Sequence, residues 1–297
     1  MSVTANAAET TTKDINLRPK FVAGRTTKYE VWSLRKQSIA MSFMGESQKM
    51  ESVLETQGEV TWRVDRVNAD GSATCTMTLN WLTATSKSTD TEPIQVDSRK
   101  ATGDNAMMHE LVKAMSGAPI AVEVAADGTV TKVKGVDAIH AKLADAENAP
   151  DELDFQETAA DLATITAAQE TIAMGRNWKH AAAWNHELGK MHHDTTYTLD
   201  GVEQVADIPI ATVTGVAKLR LDLDKDKLPA DGPKLDVKLK SGQATTQIMF
   251  DLSRGEAVGR NSTMTTNIEA RLTHNGQTLT RIMDETVQSQ SIRIAEK

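Results

Sequence analysis

The chain has 297 residues, 39% of them hydrophobic and 25% charged, with 33 Lys and Arg against 41 Asp and Glu for a net charge of −8. That length allows one large β domain or two smaller ones, the composition is that of a folded chain, and the acidic field disfavours nucleic acid and anionic membrane surfaces as partners. No run approaches the roughly 18 apolar residues of a membrane helix, and the single cysteine, Cys75, rules out an intramolecular disulfide and a multi-thiolate zinc site.

Residues 1–16 are rich in Ala, Thr and Glu, show no periodicity, and read as a disordered tail. Ala5-Asn6-Ala7 has the small-x-small form of a signal-peptidase site, without the basic and apolar regions that precede one. A trimmed signal and a chance match both stay open.

Residues 17–135 form a first β-rich unit with one helix. Tyr29 to Leu34 opens a strand, Ile39, Met41 and Phe43 alternate, Met44-Gly45 interrupts, and Ser47 to Glu55 continues as strand. Val60, Trp62 and Val64 alternate with Thr61, Arg63 and Asp65. Beyond Asn68-Ala-Asp-Gly71, the residues Ala73, Cys75, Met77, Leu79 and Trp81 share one face and Thr74, Thr76, Thr78 and Asn80 the other. Period two sends one set to a core and the other to water, and the Asp-Gly pair supplies the positive φ of a hairpin turn. Cys75 therefore reads as a small core residue. Residues 84–100 are polar without a period and read as a long surface connection. Met107, Met108, Leu111, Val112 and Met115 then mark one face of a helix, capped by Asp104 or Asn105 and ended by Gly117. A hairpin follows, Ile120 to Val124 and Thr129 to Lys134 around Asp127-Gly128.

Residues 136–175 read as a helical connection. Val136, Ile139, His140 and Leu143 share a face, Pro150 sets a boundary, and Leu153, Leu162, Ile165 and Ile172 mark a second helix with alanine-rich spacing. Residues 176–297 form a second β-rich unit. Ala217, Leu219, Leu221 and Leu223 alternate with charges, as do Leu235, Val237 and Leu239, and Ala244 to Leu252 makes another apolar face. A last hairpin turns at Asn275-Gly276, a strong short-range turn signal. The two units share a meander pattern that suggests an internal duplication.

Chemistry is sparse. His180, His186, His192 and His193 cluster, and His186, His192 and His193 are the weak metal candidates. A zinc-protease motif fails because Lys190 stands where the second histidine belongs. Asp222-Leu-Asp224-Lys-Asp226 fails as a calcium loop, with Lys227 and Pro233 at the sixth and twelfth positions. No phosphate loop or nucleophile elbow occurs. The chain nominates no catalytic residue and no cofactor. What it does offer is an aromatic and methionine set, Trp62, Met77, Trp81, Met108 and Met115, suited to a cavity for varied apolar ligands. An ordinary core between sheet and helices accounts for the same residues.

Leu17-Arg-Pro-Lys-Phe21 with Gly24 and Tyr29, the stretch Trp62 to Ala73, and Ile120 to Gly128 with Val133 and Gly135 resemble a domain-of-unknown-function family of exported bacterial β-rich proteins. The resemblance implies export to the cell envelope, often by a signal or lipoprotein signal, and supplies no catalytic residue. More loosely, the layout looks like the half-barrel lipoprotein carriers, in which a curved sheet cradles helices and acyl chains.

The expected fold is α+β, mainly antiparallel β, a curved sheet or half-barrel with helices packed on one face. The expected function is a non-enzymatic binding or scaffold module of the cell envelope or periplasm, with a cytoplasmic location left open and an unknown protein or apolar small molecule as partner. The alternative is a carrier of lipid or another apolar small molecule in a cavity between sheet and helices. A metal-dependent hydrolase using the His180–His193 region is a second alternative.

Overall fold

The computed structural model describes residues 14–89, 91–143, 158–159, 162, 171–186, 189–223, 234–274 and 277–294. Its elements in chain order are β1 (Thr26–Phe43), β2 (Glu46–Val67), β3 (Ala73–Ser88), β4 (Ile94–Asp97), α1 (Ala106–Met115), β5 (Pro119–Val124), β6 (Val130–Lys134), α2 (Val136–Leu143), β7 (Asn177–His186), β8 (Gly189–Val205), β9 (Ile208–Leu223), β10 (Lys234–Asp251), β11 (Glu256–His274) and β12 (Gln277–Arg293). The strands form one curved, unclosed antiparallel sheet in the order β6-β5-β3-β2-β1-β12-β11-β10-β9-β8-β7, with β4 added beside β3.

Local turn chemistry explains most of the meander. Met44 and Gly45 both take positive φ, 52° and 87°, between β1 and β2, as a two-residue primed turn requires. Gly71 (φ 84°) and Gly128 (φ 92°) do the same work in the β2–β3 and β5–β6 turns. The non-local step is the pairing of the first strand with the last. β1 runs against β12 from Tyr29 opposite Arg293 to Ser42 opposite Thr280, and this seam unites both β regions in one sheet.

β6 and β7 are neighbours in sequence but stand at opposite edges. The described residues of the chain between them land on the inward face. Ile139 and Leu143 of α2, with helical Ala159 and Leu162, join a core of Val60, Trp62, Val64, Cys75, Met77, Ile120 and Val122. Ile172 joins a second core of Leu17, Trp178, Tyr197, Leu199, Val213, Ile248 and Phe250. There Ile15 and Ile172 form a two-bond β-bridge, at 2.9 and 2.8 Å, so Ile172 is extended rather than helical. At one end the two sheet edges come within electrostatic reach. Burial lowers the pKa of His180 on β7, and Asp127 in the β5–β6 turn partly opposes it.

Two sequence expectations are corrected. The stretch read as a surface connection holds the end of β3 and all of β4. Ile94 and Val96 alternate inward, and Val96 packs with Ala84 and Val112 beneath α1. In α1, Asn105 caps the helix by accepting from the Met108 N–H at 2.9 Å, but Met107 points outward and His109 takes the buried position. The charged end of β10 closes the fold beside β12. Asp251, fully buried, accepts from the Ser253 hydroxyl, the Arg254 N–H and both terminal nitrogens of Arg293. The calcium-like residues from Asp224 on, the Asn275-Gly276 turn, Leu153 and Ile165 lie outside the described residues.

Candidate functional site

Between the two cores the inward face changes character. On β1 it carries Val31, Ser33 and Arg35, on β12 Ser291, Ser289 and Val287, and on β11 Arg260 and Ser262. These sit opposite one another in register: Val31 with Ser291, Ser33 with Ser289, Arg35 with Val287, and Arg260 with Ser291. Ser262 and Ser289 hydroxyls are 2.6 Å apart, the Arg260 Nε–H donates to the Thr246 hydroxyl at 3.3 Å, and Arg35 pairs with Glu285 at 3.3 Å.

Over this floor lies a cavity of about 340 Å³. Its walls are Val60, Met77, Leu79, Leu82 and Ile120 from β2, β3 and β5, and its roof is Met115 at the end of α1 with Thr158 and Leu162. The volume falls at the lower end of the roughly 300–1,000 Å³ common to small-molecule sites. Most of the lining is apolar, with hydroxyls and two guanidiniums on one side, a pattern that holds an apolar body and orients a polar end.

A bulge shapes the wall. Glu59 faces Trp81 while Val60 faces Leu79, so Asn80 is the extra residue. The bulge reverses the facing of everything after it. Leu82 and Ala84 turn inward, and Trp81 turns out, where Arg99 stacks over its ring at 4.3 Å. The expectation that Trp81 shares a face with Met77 and Leu79 is thus corrected. Gly58 belongs to the same irregularity. A Cβ there would stand 2.7 Å from the Trp81 carbonyl oxygen, so this position excludes a side chain.

The remaining candidates separate. Met77 and Met115 line the cavity. Trp62, buried in the helix-covered core, borders a second void of about 20 Å³ beside Tyr29 and Leu162, room for about one water. Met108, on α1, packs with Val112 of the same helix against Ala84 and Val96 of the sheet, away from the cavity. Cys75 is buried, and its thiol is pushed up to about 12 by burial and the nearby Asp65 charge, which makes it an unreactive core group.

The histidines do not converge. His192 and His193 are consecutive on β8 and face opposite sides of the sheet. His192 pairs outward with Asp222 at 2.9 Å. His193 faces in, its pKa lowered to about 3 by burial and by the charge of Arg260. The backbone of His186 ends β7, and its side chain lies outside the described residues. Among the described residues no three His, Cys, Asp or Glu side chains are grouped to hold a metal.

The polar floor was not legible in sequence. Ser33, Arg35, Ser289, Ser291 and Arg260 look like solvent-facing strand residues until the β1–β12 register is known. Their parity relative to Val31, Val287 and Ile248 is the signal that could have marked them.

Residues 70–164 match the model of a family of unknown function, DUF6263. That span runs from the β2–β3 turn through α1, β5, β6 and α2, and so includes most of the cavity's apolar wall and its roof. No curated protein matches in sequence. Among solved structures, the chain aligns with lipovitellin, solved for its lipid–protein interactions, at 10% identity and TM-score 0.44, over 93% of this chain and 25% of that one. It aligns with the outer membrane protein OprG from Pseudomonas aeruginosa at 6% identity and TM-score 0.24, over 95% and 100% of the two chains. A DUF1329 family protein from Desulfovibrio piger gives 8% identity and TM-score 0.16, over 86% and 83%. This chain spans a quarter of the lipovitellin chain. The scores lie below the level at which a shared fold is established.

Proposed function

We propose that the protein is a non-enzymatic binding protein of the cell envelope that carries an apolar or amphipathic small molecule between its sheet and its helices. The observation that supports this is the cavity of about 340 Å³ under Met115 and Leu162, in an interface where close packing is the rule. The pocket opens to solvent beside Arg35, and releasing water from its apolar walls favours an apolar occupant.

The outward face favours a water-soluble carrier over a membrane-spanning barrel. Lys28 with Glu59, Arg63 with Asp65, Arg220 with Asp222 and Lys238 with Asp236 are ion pairs on that face. A strand that crosses lipid presents an apolar band outward instead. Among the described residues no helix is long and apolar enough to cross a membrane. The envelope location rests on the family resemblance.

Displacement of an environment-sensitive fluorophore tests the reading. The native protein should enhance the fluorescence of an apolar naphthalene dye, and added long-chain alcohols should displace it. Met115→Trp, which fills the roof, should abolish both. Equal enhancement by the native protein and Met115→Trp would mean that the dye binds elsewhere and the cavity carries nothing.

A further inference from the structure

Resting on the carrier reading above, we propose that the cavity takes an uncharged ligand, an apolar body bearing an alcohol or carbonyl group, held by a row of serine and threonine hydroxyls on the cavity floor.

The strand register builds that row. Thr56 on β2 stands opposite Ser33 on β1, Ser33 opposite Ser289 on β12, Ser289 opposite Ser262 on β11, and Ser262 opposite Thr246 on β10. Adjacent strands from β2 to β10 therefore carry a hydroxyl at one level of the inward face, and Thr56, Ser33 and Ser289 line the cavity. Ser291, the next inward residue of β12, lines it too and is only 7% exposed. Ser289 is bonded to Ser262 and Thr246 to Arg260. The hydroxyls of Ser33, Thr56 and Ser291 have no hydrogen-bond partner among the described residues. A buried hydroxyl is ordinarily bonded, so Ser291 in particular is a group for a ligand to satisfy. Charge argues the same way. Among the described residues the lining contains Arg35 and Arg260 and no aspartate, glutamate or lysine. Both arginines are engaged by the protein, Arg35 with Glu285 and Arg260 with the Thr246 hydroxyl, each at 3.3 Å. An ion that entered would give up its water without gaining an unengaged counter-charge. An alcohol or carbonyl gives up less, and it meets hydroxyls that both donate and accept. Thr158 adds a hydroxyl from the helical cover, and Val60, Leu79, Leu82 and Ile120 supply walls for the apolar body.

Displacement of the naphthalene dye at neutral pH by probes of one chain length tests this: decane, decan-1-ol, decanoate and decylamine, each below its aggregation threshold. Decan-1-ol should bind more tightly than each of the others by on the order of tenfold, the effect of one or two hydrogen bonds. The double variant Ser33→Ala, Ser291→Ala should weaken decan-1-ol by a similar factor and leave decane unchanged, which also shows that the variant is folded. If the double variant does not fold, the ranking of the probes on the native protein decides alone. Decane, decanoate or decylamine binding as tightly as decan-1-ol, or an alcohol preference that survives the double variant, would overturn the assignment of an uncharged polar group and leave the carrier reading standing. No displacement by any probe, or dye binding and displacement unchanged in Met115→Trp, would overturn both.

Discussion

The two ends of the sheet have the same strand pattern but different covers. Over β8, β9 and β10 the cover is extended chain. Leu17, fully buried, and Ile172 press onto Leu199, Val213, Ile248 and Phe250, and Trp178 stacks on Tyr197 at 5.4 Å between ring centroids. Over β2, β3 and β5 the cover is helical, through Ala114 and Met115 of α1, Ile139 and Leu143 of α2, and Leu162. Extended chain can lie flush on a sheet. A helix is about 10 Å across and touches through a stripe, so it leaves space beside it. The gap lies beside Met115 and Leu162, where the inward face turns from Val and Met to Ser and Arg. The cavity thus coincides with a change in both the cover and the face of the sheet.

Core truncation gives the largest test of that contrast. Phe250→Ala, fully buried in the strap-covered end, should cost about 3–5 kcal/mol in urea unfolding, and Trp62→Ala in the helix-covered core a similar amount. Met115→Ala should cost about 1 kcal/mol or less, below the usual 2–5 for a buried methionine, because its side chain already borders empty space. Comparable losses at Phe250 and Met115 would mean that both ends are packed alike.

Next in size is the buried charge at the end of β10. Burial by itself raises the pKa of Asp251, but the Ser253 hydroxyl, the Arg254 N–H and Arg293 outweigh it and hold the carboxyl below its ordinary value. A carboxylate depressed in the fold stabilises at pH above its unfolded pKa, near 4, and that stability is lost as pH falls through the folded value. Asp251→Asn should therefore cost about 3 kcal/mol at neutral pH, as expected for a broken buried pair, and flatten the acid limb of the stability curve. An acid limb equal to that of the native protein would contradict this.

His193 should produce an effect in a different pH window. Its pKa falls from 6.5 unfolded to about 3 folded. The neutral form is favoured in the fold, so this contribution is complete above pH 6.5 and declines toward pH 3, by at most about 1.4 kcal/mol per pH unit. His193→Gln should remove that slope, measured as urea midpoints between pH 6.5 and 4. An unchanged slope would mean that the imidazole titrates freely. The smallest contrast concerns the bulge. Trp81→Ala, on the outward face under Arg99, should cost clearly less than Trp62→Ala, although the sequence places both in alternating runs of the same hairpin.

What could be read in advance follows from range. Period-two runs and Asp-Gly turns are local, so the hairpins around Gly71 and Gly128 were legible, and the α1 cap was narrowed to Asp104 or Asn105, of which the structure uses Asn105. The same logic failed one residue at a time, where the bulge at Asn80 reversed Trp81, and where the polar run after residue 84 still paired at Val96 because α1 covers it. Long-range register was not legible. Nothing in Tyr29 or Arg293 announces that β1 and β12 are partners, and that pairing alone brings Ser33, Ser289 and Arg260 to the cavity floor. Met77 and Met115 stood out as soft, apolar residues before the structure placed them on its wall and roof.

Native mass spectrometry of the protein purified gently from the cells that make it tests the central claim most directly. The native chain should carry a discrete added mass, that of one apolar or amphipathic small molecule, and Met115→Trp should lose it. A bare chain in both, or an adduct that persists when the roof is filled, would contradict it.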